Sequence, residues 1–174
     1  MHEAGLAHLD IKPGNIILRA QRDLAAPRRP RGDARQVPVL VDFGLAGRKV
    51  RPSCGSPYYG GPEVWDTSSF GERIDPRATD VYAFSCLVFE LLTGNPLFAG
   101  ETLAAIFTAH LSHDGNPAGI AWMRNHDKLG PLAELLSAGL AREPSKRLGI
   151  KAMRERLRNL ANDRLATATW PLQP

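Results

Sequence analysis

Apolar side chains are densest at residues 79–92, where they recur at the spacing expected for an α-helix. Val81, Phe84 and Val88 share one face of this helix, and further apolar residues occupy its other faces. Because a helix that is apolar on all sides is buried, the segment is predicted to be the central helix of a folded domain. The glycine and the proline within residues 93–96 are predicted to end it.

The rest of the pattern predicts a mainly α-helical fold with a few short β-strands. Apolar residues at helical spacing predict three later helices, at residues 102–111, 131–140 and 152–165. Residues 1–5 have the composition of a last helical turn that stops at a glycine. Short apolar runs predict strands at residues 6–8, 16–18 and 37–41. We expect the first two of these strands to pair with each other.

Residues 19–36 interrupt the pattern, since they are rich in arginine, proline, aspartate and glycine and nearly free of apolar side chains. This composition predicts a flexible, solvated insertion. The chain carries a net charge of +4, which mildly favours anionic partners such as ATP, but a nucleic-acid-binding protein would need a focused basic patch. A solvated loop therefore accounts for the basic run better than nucleic-acid binding, and no nucleic-acid partner is expected.

The stretch HLDIKPGN at residues 8–15 places an acid, a base and an amide close together. Its proline and glycine break regular structure, so these groups are predicted to lie on a loop. Asp10 and Lys12 are two positions apart, which puts both side chains on one face of an extended backbone. A fixed carboxylate, an ammonium group and the amide oxygen of Asn15 are groups that phosphoryl transfer uses.

This stretch resembles the catalytic loop of protein kinases, His-Arg-Asp-x-x-x-x-Asn. The resemblance implies that Asp10 is the catalytic base and that Lys12 offsets charge on the transferred phosphoryl group and contacts ATP. It also implies that Asn15 is a ligand of Mg²⁺ and that His8 has a structural role in the loop.

The triplet Asp42-Phe43-Gly44 follows the predicted strand at 37–41 and resembles the Asp-Phe-Gly motif of kinases. The resemblance implies that Asp42 is the second Mg²⁺ ligand and that Phe43 packs under a helix of the other kinase lobe. Gly44 leaves the carboxylate room to reach the metal. By the same resemblance, Ile17 is expected to line the ATP site.

The segment GSPYYGGPE at residues 55–63 resembles the end of a kinase activation segment, with Gly61 in place of the usual alanine. This segment and the lysine at position 12 are typical of kinases that phosphorylate serine or threonine. Ser56 is expected to hydrogen-bond Asp10 and Lys12, which would tie the acceptor platform to the catalytic loop. The simpler alternative is that Ser56 is a turn residue.

Leu9 departs from the kinase pattern, because most kinases have arginine at this position. That arginine holds a phosphate on the activation segment and so couples activity to phosphorylation. A leucine cannot bind a phosphate. We therefore expect phosphorylation of Ser53 or Ser56 not to activate the protein by this route.

Two further positions extend the resemblance along the chain. Asp80 can cap the amides at the start of the central helix, and in kinases the residue at this position also holds the catalytic-loop backbone near His8. Arg147 occupies the place of the arginine that pairs with the glutamate closing the activation segment, here Glu63. A guanidinium group can hold a carboxylate by two hydrogen bonds, which suits a buried contact. The alternative is an exposed arginine in a loop.

The resemblance covers residues 1–165 and implies the helical C-terminal lobe of a kinase, followed by a tail at 166–174. The chain contains no glycine-rich loop and no strand lysine of the kind found in the N-terminal lobe. Because kinases bind ATP between their lobes, we expect the isolated chain to bind Mg²⁺·ATP weakly and to transfer phosphate poorly. The expected partners are a protein with a serine or threonine acceptor and an N-terminal lobe, either upstream or separately encoded.

Nothing in the sequence indicates export or membrane insertion. The two cysteines have neither metal-ligand spacing nor a disulfide framework around them. The longest apolar run, residues 81–92, is shorter than a membrane span and contains Glu90. A cytoplasmic location, with no membrane segment in this chain, is therefore expected.

Three classes of function remain open at this point. The first is the catalytic half of a serine/threonine protein kinase, and the second is a catalytically inactive kinase-like binding module or gene fragment. The third is a small-molecule phosphotransferase, which usually lacks the Pro-Glu closure of the activation segment and the Glu63–Arg147 contact. Retention of all the catalytic-loop groups favours the first class over the second, whereas the lack of the other lobe favours the second.

Overall fold

The computed structural model describes residues 1–20, 36–70, 74–126 and 128–161. Within these ranges the chain is mainly α-helical with one two-stranded sheet, which confirms the predicted fold class. The strands are β1 (Ile16–Ala20) and β2 (Gln36–Leu40), and the helices are α1 (Pro62–Trp65), α2 (Pro76–Thr93), α3 (Leu103–Leu111), α4 (Ala118–Arg124), α5 (Gly130–Gly139) and α6 (Ile150–Leu160). Short 3₁₀ turns cover His2–Ala4, Pro13–Asn15, Thr67–Ser69 and Pro144–Lys146.

Helix α2 is the predicted central helix, and it begins three residues earlier than the apolar pattern indicated. Asp75 is its N-cap, since its carboxylate accepts a hydrogen bond from Arg77 N at 3.0 Å, and Pro76 occupies the first turn. Gly94 ends the helix in the left-handed conformation, at φ 75°. Most of α2 is buried, but Leu91 is 63% exposed, so the helix is not enclosed on every side along its whole length.

The predicted pairing of residues 6–8 with 16–18 is wrong. Strand β1 instead pairs antiparallel with β2, with Ile16 opposite Leu40. Ala7 forms an isolated bridge to Gly47. The 3₁₀ turn at Pro13–Asn15 directs the chain away from residues 6–8, so a hairpin with the preceding segment does not form.

The predicted insertion at 19–36 is shorter at both ends than its composition indicated. Residues 19 and 20 belong to β1 and residue 36 belongs to β2, where Arg19 pairs with Val37. Residues 21–35 lie outside the described ranges. The polar composition therefore extends into strand ends, whose side chains are exposed along β1.

In the C-terminal half, helices α4, α5 and α6 share one core with α2. Buried apolar residues of α2, α4, α5 and α6 form one core, which includes Tyr82, Ile120, Met123, Leu132, Leu136 and Met153. Helices α3 and α5 fall within one residue of their predicted bounds, whereas α6 begins two residues earlier. Helix α4 was not predicted, because its glycine and short length weaken the helical signal. The predicted end of the last helix at 162–165 and the tail at 166–174 lie outside the described residues.

No helix in the described parts of the chain is long and apolar enough to cross a membrane.

Candidate active site

Asp80 on α2 holds the backbone at the start of the loop at residues 8–15. Its two carboxylate oxygens accept hydrogen bonds from His8 N and Leu9 N, each at 2.8 Å. The ring nitrogen Nε2 of His2 lies 2.7 Å from Asp80 Oδ2. The side chain of Asp80 is almost fully buried, and Asp75 caps the helix instead. Of the two roles expected for Asp80, loop anchoring is therefore present and helix capping is not.

His8 links this loop to the end of β2. Its imidazole is fully buried, and Nε2 lies 3.0 Å from the carbonyl oxygen of Val41. The imidazole also meets the ring of Phe43 edge to face, with 5.2 Å between the ring centres. His8 thereby fixes the distance between the loop and the segment that carries Asp42.

Three side chains converge on the carboxylate of Asp10. Oδ1 accepts a hydrogen bond from Ser56 Oγ at 2.7 Å, and Oδ2 lies 2.8 Å from Lys12 Nζ and 3.0 Å from Asn15 Nδ2. Lys12 Nζ also donates to Ser56 Oγ at 2.8 Å. The predicted contacts of Ser56 with both residues are therefore present.

The environment of Asp10 favours its ionised form. Partial burial acts to raise its pKa, but hydrogen bonds from Lys12 and Ser56, the charge of Lys12 and a hydrogen bond from Asn15 together hold the pKa below 3.8. Asp10 is consequently a hydrogen-bond acceptor at neutral pH, and its neighbours orient its carboxylate.

Asn15 and Asp42 lie close together because Val41 N donates to the carbonyl oxygen of Asn15 at 2.9 Å. The amide nitrogen of Asn15 donates to Asp10, to its carbonyl oxygen at 2.8 Å and to its carboxylate, so the amide oxygen is the atom of this side chain that can bind a cation. Asp42 has an exposed carboxylate and a backbone φ of 62°, in the left-handed region that aspartate tolerates better than most residues. An amide oxygen and a carboxylate fit a hard cation such as Mg²⁺.

Gly44 lies close to the Asp42 carboxylate in the same turn. Its backbone N–H donates to Asp42 Oδ1 at 3.2 Å, and a Cβ atom at position 44 would also lie 3.2 Å from that oxygen. A side chain there would crowd the carboxylate. Glycine therefore keeps Asp42 accessible.

Glu63 and Arg147 form a buried contact across the molecule. Arg147 Nη1 and Nη2 donate to the two carboxylate oxygens of Glu63, each at 2.7 Å, and both side chains are fully buried. Thr79 Oγ1 also donates to Glu63 at 2.7 Å, and Arg147 Nη1 donates to the carbonyl oxygen of Ala78. The alternative of an exposed loop arginine is wrong. We refer to the Glu63–Arg147 pair as the latch.

Comparison with known proteins agrees with this geometry. A family model described as the protein kinase domain matches residues 1–157. The chain belongs to the protein kinase family. Similar curated proteins are bacterial serine/threonine kinases, which place it among the eukaryotic-like members of that family.

Three of these bacterial kinases illustrate the extent of the similarity. PkaB of Streptomyces coelicolor is 33% identical over 168 residues, which cover 91% of this chain and 36% of PkaB. PknF of Mycobacterium tuberculosis is 34% identical over 154 residues, covering 84% of this chain and 28% of PknF. PknB of Mycolicibacterium smegmatis is 31% identical over 147 residues, covering 84% and 21%. The chain thus spans about a third or less of the length of these relatives.

A solved structure has the same fold. The crystal structure of the Rad53 kinase domain and SCD2 in complex with AMPPNP aligns with a TM-score of 0.57 and 20% sequence identity. The alignment covers 90% of this chain and 50% of that one. The chain therefore has the architecture of part of a kinase domain, consistent with the helical lobe.

Leu9, which departs from the sequence pattern of the kinase catalytic loop, lies in an apolar environment. Its side chain is 9% exposed and lines a small cavity with Leu45, Val50 and Val64, beneath the segment that follows Gly44. Its backbone φ is 65°, an uncommon conformation for a residue without a polar side chain. Position 9, where the kinase pattern has arginine, therefore carries an apolar side chain in apolar contact.

We expect Ser53→Glu to change the free energy of unfolding of this chain by less than about 0.5 kcal/mol, because the loop has no cation at position 9 to pair with the new charge. Urea unfolding would measure it. The same change should be repeated with Arg51→Ala, which removes the arginine lining the same cavity as Leu9. A stabilisation above about 1 kcal/mol that persists without Arg51 would contradict the prediction.

The sequence did not reveal several residues that support the site. His2 contacts Asp80, and Thr79 contacts Glu63, yet neither belongs to a motif that the loop chemistry requires. Tyr59 donates a hydrogen bond to Glu90 on α2. Burial raises the pKa of Tyr59 above its usual value of 10, and Glu90 raises it further. A polar residue within an apolar run, such as Glu90 in residues 81–92, is the one signal that was available.

Proposed function

We propose that this chain is the catalytic C-terminal lobe of a serine/threonine protein kinase, which transfers the γ-phosphoryl group of ATP to a protein hydroxyl. The observation that carries the proposal is the convergence of Lys12, Asn15 and Ser56 on the ionised carboxylate of Asp10. An ion pair with a purely structural role needs only two side chains. Here three side chains orient the carboxylate of Asp10, which favours a functional role.

Asp10 is the proposed base. Its carboxylate accepts the proton of the incoming serine or threonine hydroxyl and orients the oxygen for attack. Lys12 lies 2.8 Å from that carboxylate and offsets negative charge on the transferred group. Ser56 joins both residues to the segment at 55–63, which supports the acceptor peptide.

Asn15 and Asp42 are the proposed ligands of Mg²⁺, through the amide oxygen of one and the carboxylate of the other. When bound, Mg²⁺ neutralises charge on the phosphates of ATP. Ile17 on β1 is 55% exposed and Phe43 is 54% exposed, and both lie on chain segments that adjoin these ligands. Ile17 is proposed to contact the nucleotide, and Phe43 to contact an N-terminal lobe that covers it.

A chimaera tests the proposal. The N-terminal lobe of PkaB would be fused to this chain, and phosphate transfer from Mg²⁺·ATP to casein would be measured for the chimaera and for the isolated chain. We expect the chimaera to be active, the isolated chain to be far slower, and Asp10→Asn to reduce the rate of the chimaera by about 10²–10⁴-fold.

Glu134→Gln provides the matched control, because Glu134 is an exposed carboxylate paired with Arg124 on the helical face of the lobe. This variant should keep the rate of the parent chimaera. A folded chimaera without activity would favour the inactive binding module, and an Asp10→Asn variant with full activity would overturn the assignment of the base.

A further inference from the structure

A chain of four hydrogen bonds crosses the lobe from the α3–α4 connection to the segment beside Ser56. Gly115 N lies 3.1 Å from His113 Nδ1, and His113 Nε2 lies 2.9 Å from the hydroxyl oxygen of Tyr82. That oxygen lies 2.8 Å from His110 Nδ1, and His110 Nε2 lies 2.9 Å from the carbonyl oxygen of Pro57.

The donor and acceptor of each hydrogen bond follow from the groups at the two ends of the series, the carbonyl of Pro57 and the amide of Gly115. The carbonyl of Pro57 can only accept, so His110 Nε2 carries the proton and Nδ1 of the same neutral ring accepts from the Tyr82 hydroxyl. The amide of Gly115 can only donate, so His113 Nδ1 accepts and Nε2 donates to Tyr82. Burial lowers the pKa of both rings to about 4, so at neutral pH both imidazoles are neutral Nε2–H tautomers.

Packing fixes the three rings of this chain. Phe98 lies between the imidazoles, with ring centres 4.1 Å from His110 and 4.9 Å from His113. Tyr82 and His110 are fully buried, and the guanidinium carbon of Arg147 lies 4.8 Å from the centre of the Tyr82 ring. The hydrogen-bond donor offered to Pro57 is consequently held in one orientation.

The backbone of Pro57 can form fewer hydrogen bonds than that of another residue, so the bond from His110 matters more for its position. Proline has no backbone N–H, so its carbonyl oxygen is the only backbone group through which it can be held. The preceding residue, Ser56, accepts from Tyr59 N and Gly60 N through its own carbonyl oxygen, each at 3.0 Å. The side chain of Ser56 contacts Asp10 on the other side. The contact of His110 with Pro57 therefore adds to the other contacts that hold this turn, those of Ser56 with Asp10, of Tyr59 with Glu90 and of Gly60 with Trp65.

We propose that His110 is a positioning residue for the acceptor platform, holding the turn at residues 56–60 through the carbonyl oxygen of Pro57. Tyr82 and His113 orient the His110 ring for this contact. Only one part of this inference rests on the proposed function, namely that the turn supports an acceptor peptide. The positioning itself is a property of the chain that does not require catalysis.

Amide hydrogen exchange on the purified 174-residue chain tests the proposal without an activity assay. The reporters are the amides of Tyr59 and Gly60, whose hydrogen bonds close the turn. In His110→Leu, which removes the donor, we expect both amides to exchange about tenfold faster or more, while amides of α2 and α5 keep their rates. In His110→Gln, which restores a donor, protection should return at least in part.

If His110→Leu does not fold, other variants and measurements can still test the role of His110. Tyr82→Phe keeps the ring and removes only the hydroxyl, and it should also speed exchange at Tyr59 and Gly60. In the wild-type chain, imidazole ¹⁵N shifts should report Nε2–H tautomers for both histidines. His126→Leu, a histidine next to Trp122 and outside the chain of bonds, should leave the turn unchanged.

Three outcomes would overturn the proposal. They are unchanged exchange at Tyr59 and Gly60 in folded His110→Leu, equal acceleration throughout the lobe, and an Nδ1–H tautomer of His110. If the kinase chimaera is inactive but the turn responds as expected, the positioning role of His110 is supported. The result then contradicts only the proposal that the turn binds an acceptor peptide.

Discussion

Replacing Arg147 with methionine should lower the free energy of unfolding by about 3–5 kcal/mol, because the carboxylate of Glu63 would stay buried without its partner. The loss would be a large part of the stability of a domain of this size, which is typically about 5–15 kcal/mol. Urea unfolding followed by circular dichroism measures it. If the variant is already partly unfolded in buffer, the fraction folded gives a lower limit to the loss.

The matched control breaks an exposed ion pair instead of the buried one. Arg77→Met removes the partner of Asp75 at the start of α2, where both side chains are about half exposed, and the change should be much smaller. Glu63→Gln should approach the effect of Arg147→Met, because it leaves the guanidinium group without its countercharge. An Arg147→Met variant as stable as Arg77→Met would contradict the assignment of the latch as a buried, energetically important contact.

The lobe should lose on the order of 3 kcal/mol of stability through His110 as the pH falls from 6.5 to 4, and less through His113, which is partly exposed. Burial lowers the pKa of each imidazole from 6.5 to about 4. Between these values the unfolded chain binds protons that the folded chain does not, so acid favours unfolding. Stability is complete above pH 6.5 and falls progressively towards pH 4. Thermal unfolding over this range measures the slope.

Charged neighbours modify this effect without reversing it. The pKa of His110 is also lowered by His113 and raised by Glu63, whereas that of His113 is raised by Asp114 and lowered by Arg147 and Arg142. His110→Gln/His113→Gln should flatten the dependence between pH 6.5 and 4. An equally steep slope in the double variant would contradict the assignment to these histidines.

The sequence predicted which side chains of the loop lie together, because their contacts follow from local spacing and from the family resemblance. Asp10, Lys12 and Asn15 are within six positions of one another, and the structure brings all three together. The contacts of Ser56 and the pairing of Glu63 with Arg147 join distant parts of the chain, and only the resemblance could indicate them.

The features that the sequence did not predict depend on tertiary context. Ile16–Leu18 could pair with either apolar neighbour in the chain, and the turn at Pro13–Asn15 decided in favour of β2. By residue type, either Asp75 or Asp80 could cap α2. Because the helix starts at Pro76, Asp75 is the cap, and the carboxylate of Asp80 binds the loop amides instead. The link between His110 and Pro57 spans 53 positions, and a single histidine in an apolar helix gives no sign of its partner.

The anchor of the loop at residues 8–15 has a consequence for the order of folding. The amides of His8 and Leu9 contact Asp80, which follows them by 72 and 71 positions. Glu63 contacts Arg147, which follows it by 84 positions. Contacts at such separations form late, since a long chain segment must be closed first. We therefore expect the anchoring of this loop by Asp80 and the closure of the latch to be late steps in the folding of the lobe.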